Sequence, residues 1–296
     1  MKWKPLQLFI LLFVTSLLGG CRSWLLFNPK GSIASSELNI LYISVALMLL
    51  VVLPVIFMTL WFSWRYRDSN TNIDYQPEWS HSTLLEIIWW TIPCMIVSIL
   101  AVITWVSCHQ LDPFKSLNQT TTKSATLKIR VIALDWKWLF IYPQQNIATV
   151  NYLAIPVGTP VEFEITSEGP MNSFVIPQLA GQIYAMAGMR SKLNLIANDL
   201  GDYKGFSANF SGNGFSNMQF VTHVATQKEF NDWIETTKHA SKSLDRTEYN
   251  RLAQASTNEP VMYYRATDKY IFINTVMKKM MPEKDVLALC RERSWV

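Results

Sequence analysis

The sequence predicts a membrane-attached α + β chain: a hairpin of two spanning helices, then a β-sandwich or β-barrel domain, then a helical C-terminal region. Three observations predict it. Half of the 296 residues are hydrophobic and only 16% are charged, too apolar a balance for an ordinary soluble chain of this length. Two long runs, residues 40–64 and 87–107, hold no charged side chain. Between residues 126 and 224, short β-branched and aromatic runs are punctuated by Gly and Pro, as in several short strands joined by turns. The net charge of +4 is modest, and no basic stripe or nucleic-acid motif accompanies it.

The first element is a processing signal over residues 1–20. Lys2 and Lys4 precede an apolar stretch over residues 6–18, the length of a leader rather than of a span. It ends in Leu18-Gly19-Gly20-Cys21, which resembles a bacterial lipobox. That resemblance implies cleavage before Cys21, lipidation of its sulfur, and a lipid-tethered segment over residues 21–39. The alternative is an uncleaved leader with a chance cysteine.

Residues 40–64 would form about 37 Å of helix, enough to cross a hydrocarbon core of about 30 Å with tilt. Residues 87–108 form the second predicted span. Trp61, Trp64, Trp89, Trp90 and Trp105 cluster near the span ends, where amphipathic rings favour the interface. Pro54 and Pro93 are tolerated there, because neighbouring groups can satisfy the freed carbonyls. Arg65 and Arg67 favour a cytoplasmic loop over residues 65–86, although Arg22 and Lys30 flank the other side of the first span. With an exported leader, both chain ends lie outside.

Beyond residue 109 the strands begin. Residues 126–133 and 136–141 are β-branched and aromatic, and Val161-Glu162-Phe163-Glu164-Ile165 alternates strictly between an apolar and a charged face. Further short apolar runs cover 173–176, 192–197 and 218–224. From Thr226 the pattern turns helical: Thr226-Gln227-Lys228-Glu229 reads as a capping box, with Phe230, Trp233 and Ile234 following at helical spacing. Residues 244–255 and 267–280 also read as helices, so 226–296 is taken as a helical region.

Three stretches carry a more specific signal. They are Ala133-Leu134-Asp135-Trp136-Lys137-Trp138-Leu139-Phe140-Ile141-Tyr142-Pro143, Met171-Asn172-Ser173-Phe174-Val175-Ile176-Pro177 and Gln182-Ile183-Tyr184-Ala185-Met186-Ala187-Gly188-Met189. In these the chain resembles subunit II of the haem-copper quinol oxidases, and within them the cytochrome bo-type ubiquinol oxidases. The resemblance implies a cupredoxin-like domain over residues 109–225. It also implies subunit I and further subunits as partners in a bacterial inner membrane, ubiquinol as substrate of the complex, and haems and copper held in subunit I rather than in this chain.

In the related cytochrome c oxidase subunit II, this domain holds two copper ions on two cysteine thiolates, two imidazoles, a methionine sulfur and a backbone carbonyl, donors that suit copper. The motif is a His-Ser, then Cys-x-Glu-x-Cys-x3-His-x2-Met. Here Asn172 stands at the first histidine, Ser207 and Ser211 at the cysteines, Asn209 at the carboxylate residue and Phe215 at the second histidine; Met218 alone keeps its donor. The residues themselves say the same. No cysteine lies between His109 and Leu289, and His109, His223 and His239 show no ligand spacing with other donors. A subunit II without copper suits a lipid-soluble donor that delivers electrons within the membrane.

Glu86 sits at the inside mouth of the second span, where an ionisable group is uncommon. The resemblance implies that it feeds protons to a channel of subunit I; a simply solvated carboxylate is the other reading. Trp136 and Trp138, two apart, are expected on one strand face, either packing on subunit I or lying in the sheet core. Met186 and Met189 read as core. Cys94 reads as a small hydrophobe within a span, and Cys108 and Cys290 could pair outside it. The chain is therefore expected to be a non-catalytic structural subunit of a proton-pumping quinol oxidase. The alternative is a membrane-anchored lipoprotein serving as a binding or assembly module of another complex.

Overall fold

The computed structural model describes residues 25–70, 78–115, 117, 126–278 and 280. The leader, the lipidation site Cys21 and Cys290 lie outside these. The chain forms two compact units, one spanning Ser36–Lys115 and one made of the described residues on either side of it.

The first unit holds helices α1 (Ser32–Arg65) and α2 (Thr83–Gln110). At 34 and 28 residues both exceed the span requirement of about 20 residues. α1 starts eight residues before the uncharged run, over a mixed lead-in, Ser32 to Asn39, whose one charged residue is Glu37. It closes on Arg65, whose positive charge suits the carbonyl end of a helix. Hydroxyls along the helices bond inward: Thr59 Oγ1 donates to the Val55 carbonyl, Ser63 Oγ to that of Thr59, and Ser98 Oγ to that of Cys94. No hydroxyl of these three is left for hydrocarbon to solvate, which is what a lipid-exposed helix requires.

The second unit is a sandwich. Its larger sheet is built from β1 (Leu127–Leu134), β2 (Lys137–Tyr142), β3 (Ile147–Val150), β5 (Val161–Ser167), β8 (Ser191–Leu195), β11 (Lys242–Leu244) and β12 (Met262–Thr267). The order is β11-β12-β3-β2-β1-β5-β8, with β1 parallel to β5. The smaller sheet contains β4 (Tyr152–Pro156), β6 (Asn172–Ile176), β7 (Ala180–Ala185), β9 (Gly201–Ser207) and β10 (Gln219–Ala225), in the order β4-β10-β9-β6-β7. Two facing sheets that each mix parallel and antiparallel pairs are the sandwich read from the strands and the cupredoxin-like arrangement that the family resemblance implied.

Period-2 patterning builds the core. Leu127, Ile129 and Val131 of β1 and Val161, Phe163 and Ile165 of β5 point between the sheets. The alternate positions carry charge, and Arg130 pairs with Glu164 at 3.2 Å and Lys192 with Glu162 at 2.8 Å. Trp138, Phe140, Phe174 and Phe220 form the centre of the sandwich, with the Phe174 and Phe220 rings stacked at 5.2 Å. Gly205 is required beneath them: a Cβ there would overlap the Phe220 ring. The fully buried Tyr142 hydroxyl ties the two sheets together, donating to the Ala154 carbonyl and accepting from the Ala154 N–H, both at 2.9 Å. Burial pushes its ionisation far up.

The outer side of the larger sheet carries a second core. Ile132, Leu134, Leu139 and Ile141 meet Tyr249 and Leu252 of α4 (Arg246–Leu252) and Phe272 and Val276 of α5 (Ile271–Met277). Residues 226–296 are thus not purely helical. The helices α3 (Gln227–Lys238), α4 and α5 alternate with β11 and β12, and β12 extends the sheet by pairing antiparallel with β3. The predicted helix over 244–255 gives up its start to β11, because Asp245 caps α4 instead; the one over 267–280 begins only at Ile271. The capping box before α3 is present as expected: Thr226 Oγ1 accepts from Glu229 N–H, and the Glu229 carboxylate accepts from Thr226 N–H.

The segment leading into α1 is a strap on this sandwich. The Lys30 and Gly31 N–H groups donate to the Gln178 carbonyl, and Asn198 N–H donates to the Lys30 carbonyl. Gly31 bridges to Ala197, and Lys30 Nζ reaches Asp199 at 2.8 Å. Gly31 packs so closely on the Leu179 backbone that a side chain there would collide with it.

Candidate functional site

The positions singled out for lost copper ligands meet where β6 begins, β9 ends and the 208–218 loop returns to β10. Ser207 Oγ donates to Asn172 Oδ1 at 3.0 Å and accepts the Ser173 N–H at 3.4 Å. Asn172 Nδ2 donates to the Pro170 carbonyl at 3.1 Å, and Asn209 Nδ2 to that of Met171 at 3.1 Å. The backbone closes the ring: Ser207 N–H donates to the Met218 carbonyl and Ala208 N–H to that of Ser173. Asn172 is 1% exposed and Met218 fully buried. The site is a neutral polar cluster bonded to itself and to the adjoining backbone, with the Ser173 hydroxyl buried without a partner among the described residues.

Ser211 and Phe215 belong to the loop above it. Trp136 holds that loop: its Nε1–H donates to the Ser211 carbonyl at 3.2 Å, and its ring lies against Gly212 and Gly214, where a Cβ on Gly214 would overlap it. The Ser211 hydroxyl is buried without a partner among the described residues. Phe215 packs edge-on against Phe210, which is 75% exposed. Among the described residues, no group of three or more His, Cys, Asp or Glu side chains is arranged to hold a metal.

Two sequence expectations fail here. Trp136 and Trp138 do not share a strand face, because Trp136 sits in the two-residue turn between β1 and β2 with φ +63°, while Trp138 lies in β2. Trp138 is fully buried within the sandwich, the core-packing alternative of the sequence reading, and Trp136 remains partly exposed. Met189 is not core either: it is exposed in the turn after β7, where Gly188 has φ +77°.

Glu86 lies in the first turn of α2, after the N-cap Ser82. His81 Nε2 stands 3.1 Å from its carboxylate, a partner that sequence reading did not single out. Lys137, between the two tryptophans, was also missed. It is 2% exposed, and its Nζ donates to the Gln254 carbonyl at 2.8 Å and to Ser256 Oγ at 2.5 Å. Burial pushes its ammonium pKa down. Its place in a strand between two aromatic residues is the signal that could have marked it.

The model of the COX Aromatic Rich Motif matches residues 238–283, the stretch from the end of α3 through β11, α4, β12 and α5. The cytochrome bo(3) ubiquinol oxidase subunit 2 of Pseudomonas aeruginosa is 48% identical over 262 residues, covering 88% of this chain and 78% of its own length. The ubiquinol oxidase subunit 2 of Acetobacter aceti is 49% identical over 263 residues, covering 89% of this chain and 84% of its own. This chain belongs to the ubiquinol oxidase subunit 2 family. In this chain, the aromatic-rich stretch supplies Tyr249, Tyr264 and Phe272 to the second core. Among solved structures, the periplasmic domain of subunit II of cytochrome oxidase (CoxB) of Bradyrhizobium japonicum is similar to part of this chain. It has 21% sequence identity and a TM-score of 0.37, covering 39% of this chain and 96% of that one.

Proposed function

We propose that this chain is the copper-free, non-catalytic subunit II of a proton-pumping ubiquinol:oxygen oxidoreductase. It packs on subunit I in the inner membrane, and subunit I carries the haems, the copper and the quinol chemistry. The observation that supports this is the Asn172–Ser207–Asn209 cluster. Its side chains are amides and a hydroxyl, bonded to one another or to backbone carbonyls, and among Asn172, Ser207, Asn209, Ser211, Phe215 and Met218 only the last bears sulfur. Such a set does not fit a pair of copper ions, which favour thiolate and imidazole. Electrons therefore reach the oxygen site by a route within the membrane, from a lipid-soluble two-electron donor. On this reading Cys21 is lipidated, both chain ends lie in the periplasm, and the Glu86 carboxylate collects protons on the cytoplasmic side.

Copper analysis and near-infrared absorption of the purified complex test the reading. Copper matching subunit I alone, with oxygen consumption driven by ubiquinol, is the expected result. Two further copper ions per complex, or reduction by a soluble cytochrome c, would overturn it.

A further inference from the structure

A cleft of about 770 Å³ opens on the outer face of the larger sheet, walled by the β2–β3 turn and by α5. Four cations line it, Lys128, Arg130, Arg190 and Lys269, against two acids, Glu164 and Asp268, leaving two positive charges in excess. We propose that this cleft binds a phosphate dianion, either free or as the terminal monoester of a larger molecule.

The chemistry follows from how the cations are held. Glu164 is shared: one carboxylate oxygen takes Arg130 Nε at 3.2 Å and the other takes Arg190 Nη1 at 3.2 Å. One carboxylate thus draws two guanidinium groups together without neutralising both. The Arg130 guanidinium is also seated 5.4 Å above the Phe272 ring, which fixes its position before any ligand arrives. Among the described residues, the terminal nitrogens of Arg130 and the Lys128 ammonium meet no acceptor, so these donors are free for an oxyanion. Guanidinium groups bind phosphate and carboxylate alike through paired N–H bonds. The excess of two charges selects between them, since a phosphate monoester carries about two negative charges at neutral pH and a simple carboxylate one. The cleft is concave and within the size range of small-molecule sites, unlike a flat face for a protein partner.

The test uses the full chain in phosphatidylcholine nanodiscs, titrated calorimetrically with inorganic phosphate against chloride at matched ionic strength. Saturable one-to-one binding is expected. K128Q and R190Q should each weaken it roughly tenfold, the size of one lost charge-assisted hydrogen bond. Circular dichroism of both variants checks that the sandwich is intact. Doping the nanodiscs with phosphatidic acid identifies the source: loss of the phosphate heat assigns a lipid headgroup, and unchanged heat assigns the free ion. Phosphate binding no tighter than chloride, variants that bind like the parent chain, or binding of poly-glutamate without phosphate would each overturn the proposal.

Discussion

Removing the Ser207 hydroxyl tests whether the cluster around Asn172 and Ser207 is a self-sufficient polar network. Ser207→Ala deletes the donor to Asn172 Oδ1, on a residue that is itself 1% exposed. Water cannot replace the lost partner without opening the site. A lost neutral hydrogen bond costs about 1 kcal/mol, and an acceptor left buried and unpaired adds a penalty, so roughly 2 kcal/mol is expected. For a unit of this size that lowers Tm by about 4–8 °C. Asn172→Ala removes the same bond from the other end, so the double variant should cost about 1 kcal/mol less than the sum of the singles. Thermal unfolding of the full chain in detergent, followed by tryptophan emission, reports it, because Trp138 lies in the same core. A Ser207→Ala loss within about 0.5 kcal/mol of zero, or strict additivity of the pair, would refute the reasoning.

Three further outcomes are expected. Gly205→Ala forces a methyl group into the Phe220 ring and should destabilise the sandwich by about 1–3 kcal/mol, with a changed near-UV aromatic circular dichroism signal. Arg251 and the Tyr264 hydroxyl hold the Glu248 carboxyl down to about 2. A carboxylate with a lowered value contributes its full stability above its unfolded-state pKa and loses it as pH falls through the folded-state value. The contribution, discounted for partial exposure to about 1–2 kcal/mol, should therefore vanish between pH ~4.5 and ~2, and Glu248→Gln should flatten that part of an acid titration of Tm. Glu86→Ala should slow oxygen consumption by the intact oxidase while leaving subunit stoichiometry unchanged; an oxygen electrode and gel analysis of the purified complex check both.

Where physical rules act over short range, the sequence was readable. The uncharged runs marked α1 and α2, the strict alternation of Val161–Ile165 marked β5, and the Thr226–Glu229 pair marked the start of α3. The rest depended on contacts distant in the chain. β3 and β4 are short and separated only by Asn151 at φ +56°, so their break carries no Gly or Pro to announce it. β9 is rich in Gly and polar residues and is a strand because β6 and β10 flank it. β12 lies between two stretches that read as helices, and although Met262–Thr267 includes a tyrosine pair, its pairing with β3 spans over a hundred residues of sequence. The site shows the same division. That Asn172, Ser207 and Asn209 are neutral polar residues was legible from their types, whereas the Asn172–Ser207 bond was not. Nor was the turn position of Trp136, since Asp135-Trp136 lacks the Gly or Asn that usually marks a positive φ.

The strap over Lys30 and Gly31 also constrains how the chain enters a membrane. Its hydrogen-bond acceptors and donors, at Gln178 and Asn198, lie far downstream of both long apolar helices. In a bilayer the strap and the sandwich could meet only on one face, which would require an even number of crossings between them. A molecule that threaded only one helix would strand the strap opposite its binding edge. The tie between the two sides of the apolar stretch is thus made by backbone hydrogen bonds rather than by the charges that flank it.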